Sequence, residues 1–466
     1  MYPLNLAQAL SRRNVLKLAG GCAAMTAGSV LSTITGLSLT RSAWAAAPTS
    51  VEDDYKALVC IYLFGGNDSF NMLVPREAEE YQDYSEARQQ MALASKDLLP
   101  ISDQSGRAFG LHPAMTDLKK IYNDGDLAFV SNVGALVRPT TLADYRRNLA
   151  LPVGLFSHPD QSRHWQTSIP ESRTGVTGWA GRMADILNDS TNDNPHIAMN
   201  IAIDSVNLFQ TGREVVPYVV KAKKLAGYRK TARAMDRIYT RATDEMLDRR
   251  YSNVMEQAFA TVKRGSVDAA ISYAKAINGV SSDIPFPNTQ LGNQLELIAR
   301  TITARETLGQ KRQVYFALVG GWDFHDEVLN AQRDLLKQVN DAFAAFNSAM
   351  KGMGIHDKVT TFTASDFGRT LSSNGNGTDH AWGGNQMIMG GGVQGGVFGQ
   401  YPGSLRDDKL NIGRGRLLPT TSVDEFNAEL AMWFGIDNGN SLEAILPNIR
   451  RFYNAGLTRG PLGFMG

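Results

Sequence analysis

Residues 313–327, QVYFALVGGWDFHDE, constrain the fold of this chain more than any other stretch. The run from Val314 to Val319 is apolar and rich in β-formers. It stops at Gly320-Gly321, and Asp323 and His325 then arrive together. A short, near-continuous apolar run is the pattern of a strand buried on both faces, as in a parallel sheet covered by helices. Two other strand-like runs finish the same way. Lys56 to Phe64 ends in Gly65-Gly66-Asn67-Asp68, and Lys358 to Ala364 ends in Ser365-Asp366-Phe367-Gly368. Three strand ends that each carry a carboxylate predict an α/β fold with a mainly parallel sheet, in which ligands gather beyond the carboxyl ends of the strands.

The segments between these strands support that class. Leu111-His112-Pro113 opens a short helix carrying Met115, Leu118, Ile121 and Tyr122, and Leu127 to Val133 reads as the next strand. Asp326 to Met350 is a long amphipathic helix with Leu336, Val339, Phe343 and Phe346 inward. Val423 to Phe434 is a last helix, capped by Ser422 or Thr421. Residues about 213–312 change character. Leu225, Tyr228, Met235, Ile238, Tyr239 and Met246 recur there at helical spacing among Lys and Arg, which predicts a helical insertion with its Met and Tyr stripe in a core. Residues 46–450 read as one domain containing this insertion, and 451–466 as a C-terminal tail.

Residues 1–45 read as an address. Ser11-Arg12-Arg13-Asn14-Val15-Leu16-Lys17 resembles a twin-arginine export signal, and Ala43-Trp44-Ala45 an A-x-A cleavage site. This implies the twin-arginine translocase as a partner, and a periplasmic or secreted protein after cleavage near Ala45. Only Cys22 and Cys60 are present, and Cys22 lies in the leader, so a disulfide within the mature chain and a thiolate zinc site are both excluded. The net charge of +1 gives no electrostatic case for nucleic acid.

Asp68, Asp323, His325 and Asp366 fall just after strands, and His380 lies in the glycine-rich loop Gly375 to Gly384, within reach of the same edge. Carboxylates mixed with imidazoles suit zinc, manganese or iron, and calcium or magnesium less obviously. Such an ion polarises a phosphoryl or sulfuryl oxygen. Any single aspartate after a strand reads better as a helix N-cap, and it is the set of segments that points to a site. His112, His196 and His356 have no carboxylate constellation and read as structural or exposed. No G-x-S-x-G elbow and no Walker A pattern occur. Trp165, Trp322 and Trp382 flank the site segments, as a substrate wall or as core.

YLFGGNDSFNMLVP, the SHPDQ…W segment, GGWDFH, SDFGR, GTDHAWGG and GGGVQGGVFGQYP together resemble the DUF1501 family of exported bacterial proteins. That family is of unknown function, and its fold is thought similar to the alkaline phosphatase and sulfatase superfamily. The resemblance implies an α/β/α sandwich and a metal-dependent hydrolase of phosphate or sulfate esters, acting on a small molecule or a polysaccharide. It implies metal ligands at Asp68, Asp323, His325, Asp366 and His380, a nucleophile at Ser157 or else Ser69, and an oxyanion-binding Arg369. Phe367 stands where the superfamily places a histidine, and Asp323 and His325 are closer together than its usual spacing. The alternative is a non-catalytic surface or polysaccharide-associated protein with a degraded metal site.

Overall fold

The computed structural model describes residues 54–221, 233–280, 284–407, 409–454 and 459–466. The leader expected over 1–45, and Leu225 and Tyr228 of the stripe, lie outside them. The strands are β1 (Lys56–Leu63), β2 (Leu73–Pro75), β3 (Leu99–Ser102), β4 (Ala108–Leu111), β5 (Leu127–Gly134), β6 (Asn200–Ile203), β7 (Tyr218–Val220), β8 (Arg312–Val319), β9 (Val359–Ser365), β10 (Gly384–Met389), β11 (Gly396–Phe398) and β12 (Thr421–Ser422). Nine of them form one sheet in the order β11-β5-β10-β9-β1-β8-β6-β7, with β12 also on β5. All run parallel except β10, which is antiparallel to β5 and β9. The α/β class read from the strand ends is the class of this sheet.

The central strand shows why its sequence is apolar throughout. Ala57, Val59, Ile61 and Leu63 face one core, with Ile298 and Ile302 of helix Gln290–Thr303 and Val339, Phe343 and Phe346 of helix Val328–Gly352. Leu58, Cys60 and Tyr62 face the other, with Met183 and Leu187 of helix Trp179–Thr191 and Phe426, Leu430 and Phe434 of helix Val423–Phe434. Alternate residues of a strand point to opposite faces, so a strand between two helical layers needs no polar face. Each fully buried Leu or Phe contributes roughly 1.5–3 kcal/mol. Trp165, Trp322 and Trp382 are all buried, which places them in the core and not in a wall open to substrate.

Helix Val423–Phe434 is not the last, since a short helix Asn440–Ile445 follows it, but it is capped by Ser422 as expected. Its hydroxyl accepts from the amides of Asp424 at 2.9 Å and Glu425 at 3.3 Å, and Glu425 Oε2 accepts from the Ser422 amide at 2.8 Å. This capping box satisfies otherwise orphaned helix donors. Ser422→Ala is expected to lower stability by about 1 kcal/mol, read as a shift in the urea midpoint without a change in slope.

Two expectations fail for physical reasons. Leu111 ends a strand and does not open a helix. β2, β4 and β3 pair antiparallel in a second sheet, and the following helix is Thr116–Asn123. Runs of three or four residues are too short to show a period of two. The stripe of the helical segment is not core. Met235, Ile238, Tyr239 and Met246 are 59–68% exposed, because helix Ala234–Asp248 docks by its charged side. Periodicity identified an amphipathic helix but not which side it buries. Among the described residues no helix is long and apolar enough to cross a membrane.

His164 is fully buried in helix His158–Thr167, and neither ring nitrogen has a hydrogen-bond partner. Burial pushes its pKa down to about 4, and that of His112 likewise to about 4. Both are neutral when folded but take up a proton on unfolding at about pH 6.5 and below. Stability from these groups is therefore full above about 6.5 and falls as pH drops toward 4. Urea unfolding of His164→Leu is expected to lose less stability than the parent over that window.

Candidate metal centre

β8, β1 and β9 are parallel neighbours in register, with Leu63 opposite both Val319 and Ser365, so their carboxyl ends stop at one level. Beyond that level the turns cross closely. A Cβ on Gly65, where φ is +125°, would lie 2.4 Å from the Asp323 amide nitrogen, so the residue must be glycine. This crossing brings Asp323 of the β8 turn beside the β9 turn that holds Asp366. The chain after β9 then folds back. Gly368 donates to Trp382, Thr370 to Asp379 and Ala381 to Gly368, and Thr378 donates to Phe324, which returns His380 to the same edge.

His158 completes the group from the first turn of helix His158–Thr167. His158, Asp323 and His380 each offer one donor atom within 4.8 Å of the others. His158 Nε2 lies 3.5 Å from Asp323 Oδ2, and His380 Nε2 lies 3.3 Å from Asp323 Oδ1. His325 stands beside this group without belonging to it. Its Nε2 is 3.0 Å from Asp323 Oδ1 and 3.0 Å from His380 Nε2. His325 and Asp323 are each nearly half exposed, so the group opens to solvent on their side.

The outer nitrogen of each ring is held. His380 Nδ1 is 2.7 Å from the Phe156 carbonyl, which can only accept, so this nitrogen carries the hydrogen and the neutral ring turns a lone pair inward. His158 Nδ1 is 2.7 Å from Asp366 Oδ2. Asp366 is itself fixed by Tyr62 Oη at 2.7 Å and the Gly65 amide at 3.0 Å. His325 Nδ1 is 3.3 Å from Asp379 Oδ1. Anchored outer nitrogens are the arrangement that orients imidazoles toward a metal.

These residues fit a divalent cation. His158 Nε2 is buried and has no hydrogen-bond partner, although it faces Asp323. His325 Nε2 and His380 Nε2 stand 3.0 Å apart, a separation that demands a proton or a cation between two ring nitrogens. Ligand atoms roughly 2.0–2.1 Å from one zinc ion stand roughly 3.0–3.5 Å apart, and Asp323 lies at 3.5 Å from His158 Nε2 and 3.3 Å from His380 Nε2. The electrostatics agree. The hydrogen bond to Asp366 raises the His158 pKa, and burial lowers that of His380. Burial acts to raise the Asp323 pKa, but the bond and the charge of Arg369, together with the nearby His325 and His158, outweigh it and hold its carboxyl below the usual range.

Several residues expected at the site are placed elsewhere or differently. Asp68 is fully buried in an ion pair with Arg88, on the turn into the short helix Ser69–Met72, and does not join the group. Asp366 holds His158 from behind instead of pointing at the centre. Ser157 is the N-cap residue of its helix, and its hydroxyl bonds Asp160. Ser69 Oγ accepts from the Asn385 amide at 2.7 Å inside the core. Arg369 is not free for an oxyanion. Its guanidinium donates to Asp323 Oδ1 at 2.7 Å, Gly65 O at 3.2 Å, Thr378 Oγ1 at 3.0 Å and Thr378 O. It positions Asp323. Phe367 packs against His158 and His380, with ring centroids 4.7 and 4.6 Å away, and fills the place expected for a second histidine.

Sequence reasoning passed over His158, Asp379 and Tyr62. The available signal for His158 was its position, in a Ser-His-Pro turn opening a helix out of a loop-rich segment. Asp379 directly precedes His380 in the sequence.

No curated protein sequence matches the chain. Among solved structures it is similar to Ps i-CgsB in complex with k-i-k-neocarrahexaose, at 10% identity and a TM-score of 0.35, over 88% of this chain and 77% of that one. It is similar to phosphonate monoester hydrolase SpPMH from Silicibacter pomeroyi, at 9% identity and a TM-score of 0.33, over 82% and 74%. It is similar to PsFucS1 sulfatase from Pseudoalteromonas sp., at 9% identity and a TM-score of 0.29, over 83% and 68%. Residues 55–446 match the family described as Protein of unknown function (DUF1501), and the chain belongs to that family.

Proposed function

We propose that this chain is a metal-dependent hydrolase of phosphate or sulfate esters, acting outside the cytoplasm after export by the twin-arginine route. The observation that carries this reading is the convergence of three anchored imidazoles on Asp323, with His158 Nε2 buried and unpartnered. His158, Asp323 and His380 would hold the ion, with His325 beside them. A divalent cation there supplies a Lewis acid for a phosphoryl or sulfuryl oxygen. Asp366, Asp379 and the Phe156 carbonyl keep the outer ring protons in place, and Arg369 holds Asp323 at its bearing. None of the hydrogen bonds made by His158, Asp323 and His380 goes to a serine or threonine hydroxyl. The reading therefore takes water as the attacking group, in place of Ser157.

The same lack of a hydroxyl favours a second reading, an exported protein that binds metal at a surface or on a polysaccharide without turnover. Elemental analysis of the purified chain, with assays on aryl phosphates and aryl sulfates, separates the two. Bound metal with turnover that disappears in Asp323→Ala/His380→Ala supports the hydrolase. Bound metal with no turnover on any ester leaves the second reading. Absence of stoichiometric metal removes both.

A further inference from the structure

Helix Ala234–Asp248 is attached to the next helix, Val254–Asn278, through its charged side. Arg264 contacts Asp244 Oδ1 at 2.9 Å and Asp248 Oδ1 at 2.6 Å. Met235, Ile238, Tyr239, Ala242 and Met246, at i, i+3, i+4, i+7 and i+11, share the opposite side, and all five are exposed. No residue of this helix is buried. A helix of this length is marginal in water by itself, and a contiguous apolar face left to solvent marks a contact surface. Of the 12 large hydrophobics exposed among the described residues, four are in this helix and three more open the next one, so the apolar exposure is concentrated here.

The charges beside the stripe identify what covers it. Arg241 and Glu245 are one helical turn apart on the same flank, and both are exposed. Antiparallel pairing of two such helices about a two-fold axis near Thr243 lays stripe on stripe. It also sets Arg241 of each copy beside Glu245 of the other, twice, as an isologous interface requires. An anionic lipid surface would call for cations along both flanks. Here Glu245 lies on one flank and Asp236 on the other. We propose that the protein self-associates as a two-fold dimer through helix Ala234–Asp248. The surface is separate from the metal centre and does not depend on its activity.

Sedimentation equilibrium of the purified chain at micromolar concentration tests this. The parent is expected to be a dimer and Ile238→Asp/Met246→Asp a monomer with an unchanged far-ultraviolet circular dichroism spectrum. Arg241→Glu is expected to weaken the dimer roughly tenfold, and Arg241→Glu/Glu245→Arg to restore it. A parent that sediments as a monomer overturns the proposal. So does a dimer that survives Ile238→Asp/Met246→Asp, or a charge reversal that restores nothing. Binding of a monomeric parent to phosphatidylglycerol vesicles, lost in Ile238→Asp/Met246→Asp, would assign the stripe to a membrane and overturn it too.

Discussion

His158→Ala is expected to weaken zinc or manganese binding by at least roughly 100-fold, measured by competition with a chromophoric chelator. Asp366→Asn is expected to weaken it by about 10–100-fold, the usual effect of losing the group behind a ligating histidine. The contrast follows from position. His158 Nε2 is the buried, unpartnered nitrogen that faces Asp323, whereas Asp366 reaches only the far side of that ring, at Nδ1. A ligand set of Asp68, Asp323, His325, Asp366 and His380 predicts the reverse order, with Asp366 essential and His158 dispensable. Folding controls are straightforward for His158, whose side chain is partly exposed and lies at a helix start. For Asp366 the asparagine keeps one carbonyl acceptor for the Gly65 amide, and its NH2 can donate to the Tyr62 hydroxyl oxygen.

Arg88→Met is expected to cost about 3–5 kcal/mol of stability while leaving metal affinity within about threefold of the parent. Both side chains of the Arg88–Asp68 pair are fully buried, and Arg88 Nη1 also donates to the Thr370 carbonyl at 3.0 Å. Removing the guanidinium leaves a buried carboxylate alone in the core, and its Oδ1 already has no partner. A carboxylate there without its cation is far more costly than the pair is stabilising. Asp68→Asn is expected to behave the same way, since it strands the arginine. Urea unfolding and chelator competition on the same samples check both halves. Lost metal affinity with unchanged stability would instead make Asp68 a ligand.

The fold was legible where burial alone dictates sequence. The runs at 56–63 and 312–319 are apolar on both faces because helices cover both faces of the sheet. The strand ends at Asp323 and Asp366 were legible for the same reason, since residues after parallel strands share an edge. The direction of a side chain beyond a strand was not. Asp68 and Asp366 follow their strands alike, yet the turn after β1 sends Asp68 into the core toward Arg88. His158 was hidden because its contact with Asp366 spans 208 residues of sequence and comes from a helix, not a strand. The exposed stripe was hidden because an amphipathic pattern is the same whether its apolar side meets this chain or another.

The central claim is that His158, Asp323 and His380, with His325 beside them, form a single divalent-metal centre. The most direct test is the metal content of protein equilibrated with zinc and passed through a desalting column, for the parent and for His158→Ala/His380→Ala. About one equivalent retained by the parent and none by the double variant is the expected result. No metal in the parent, or a full equivalent kept by the double variant, would contradict it.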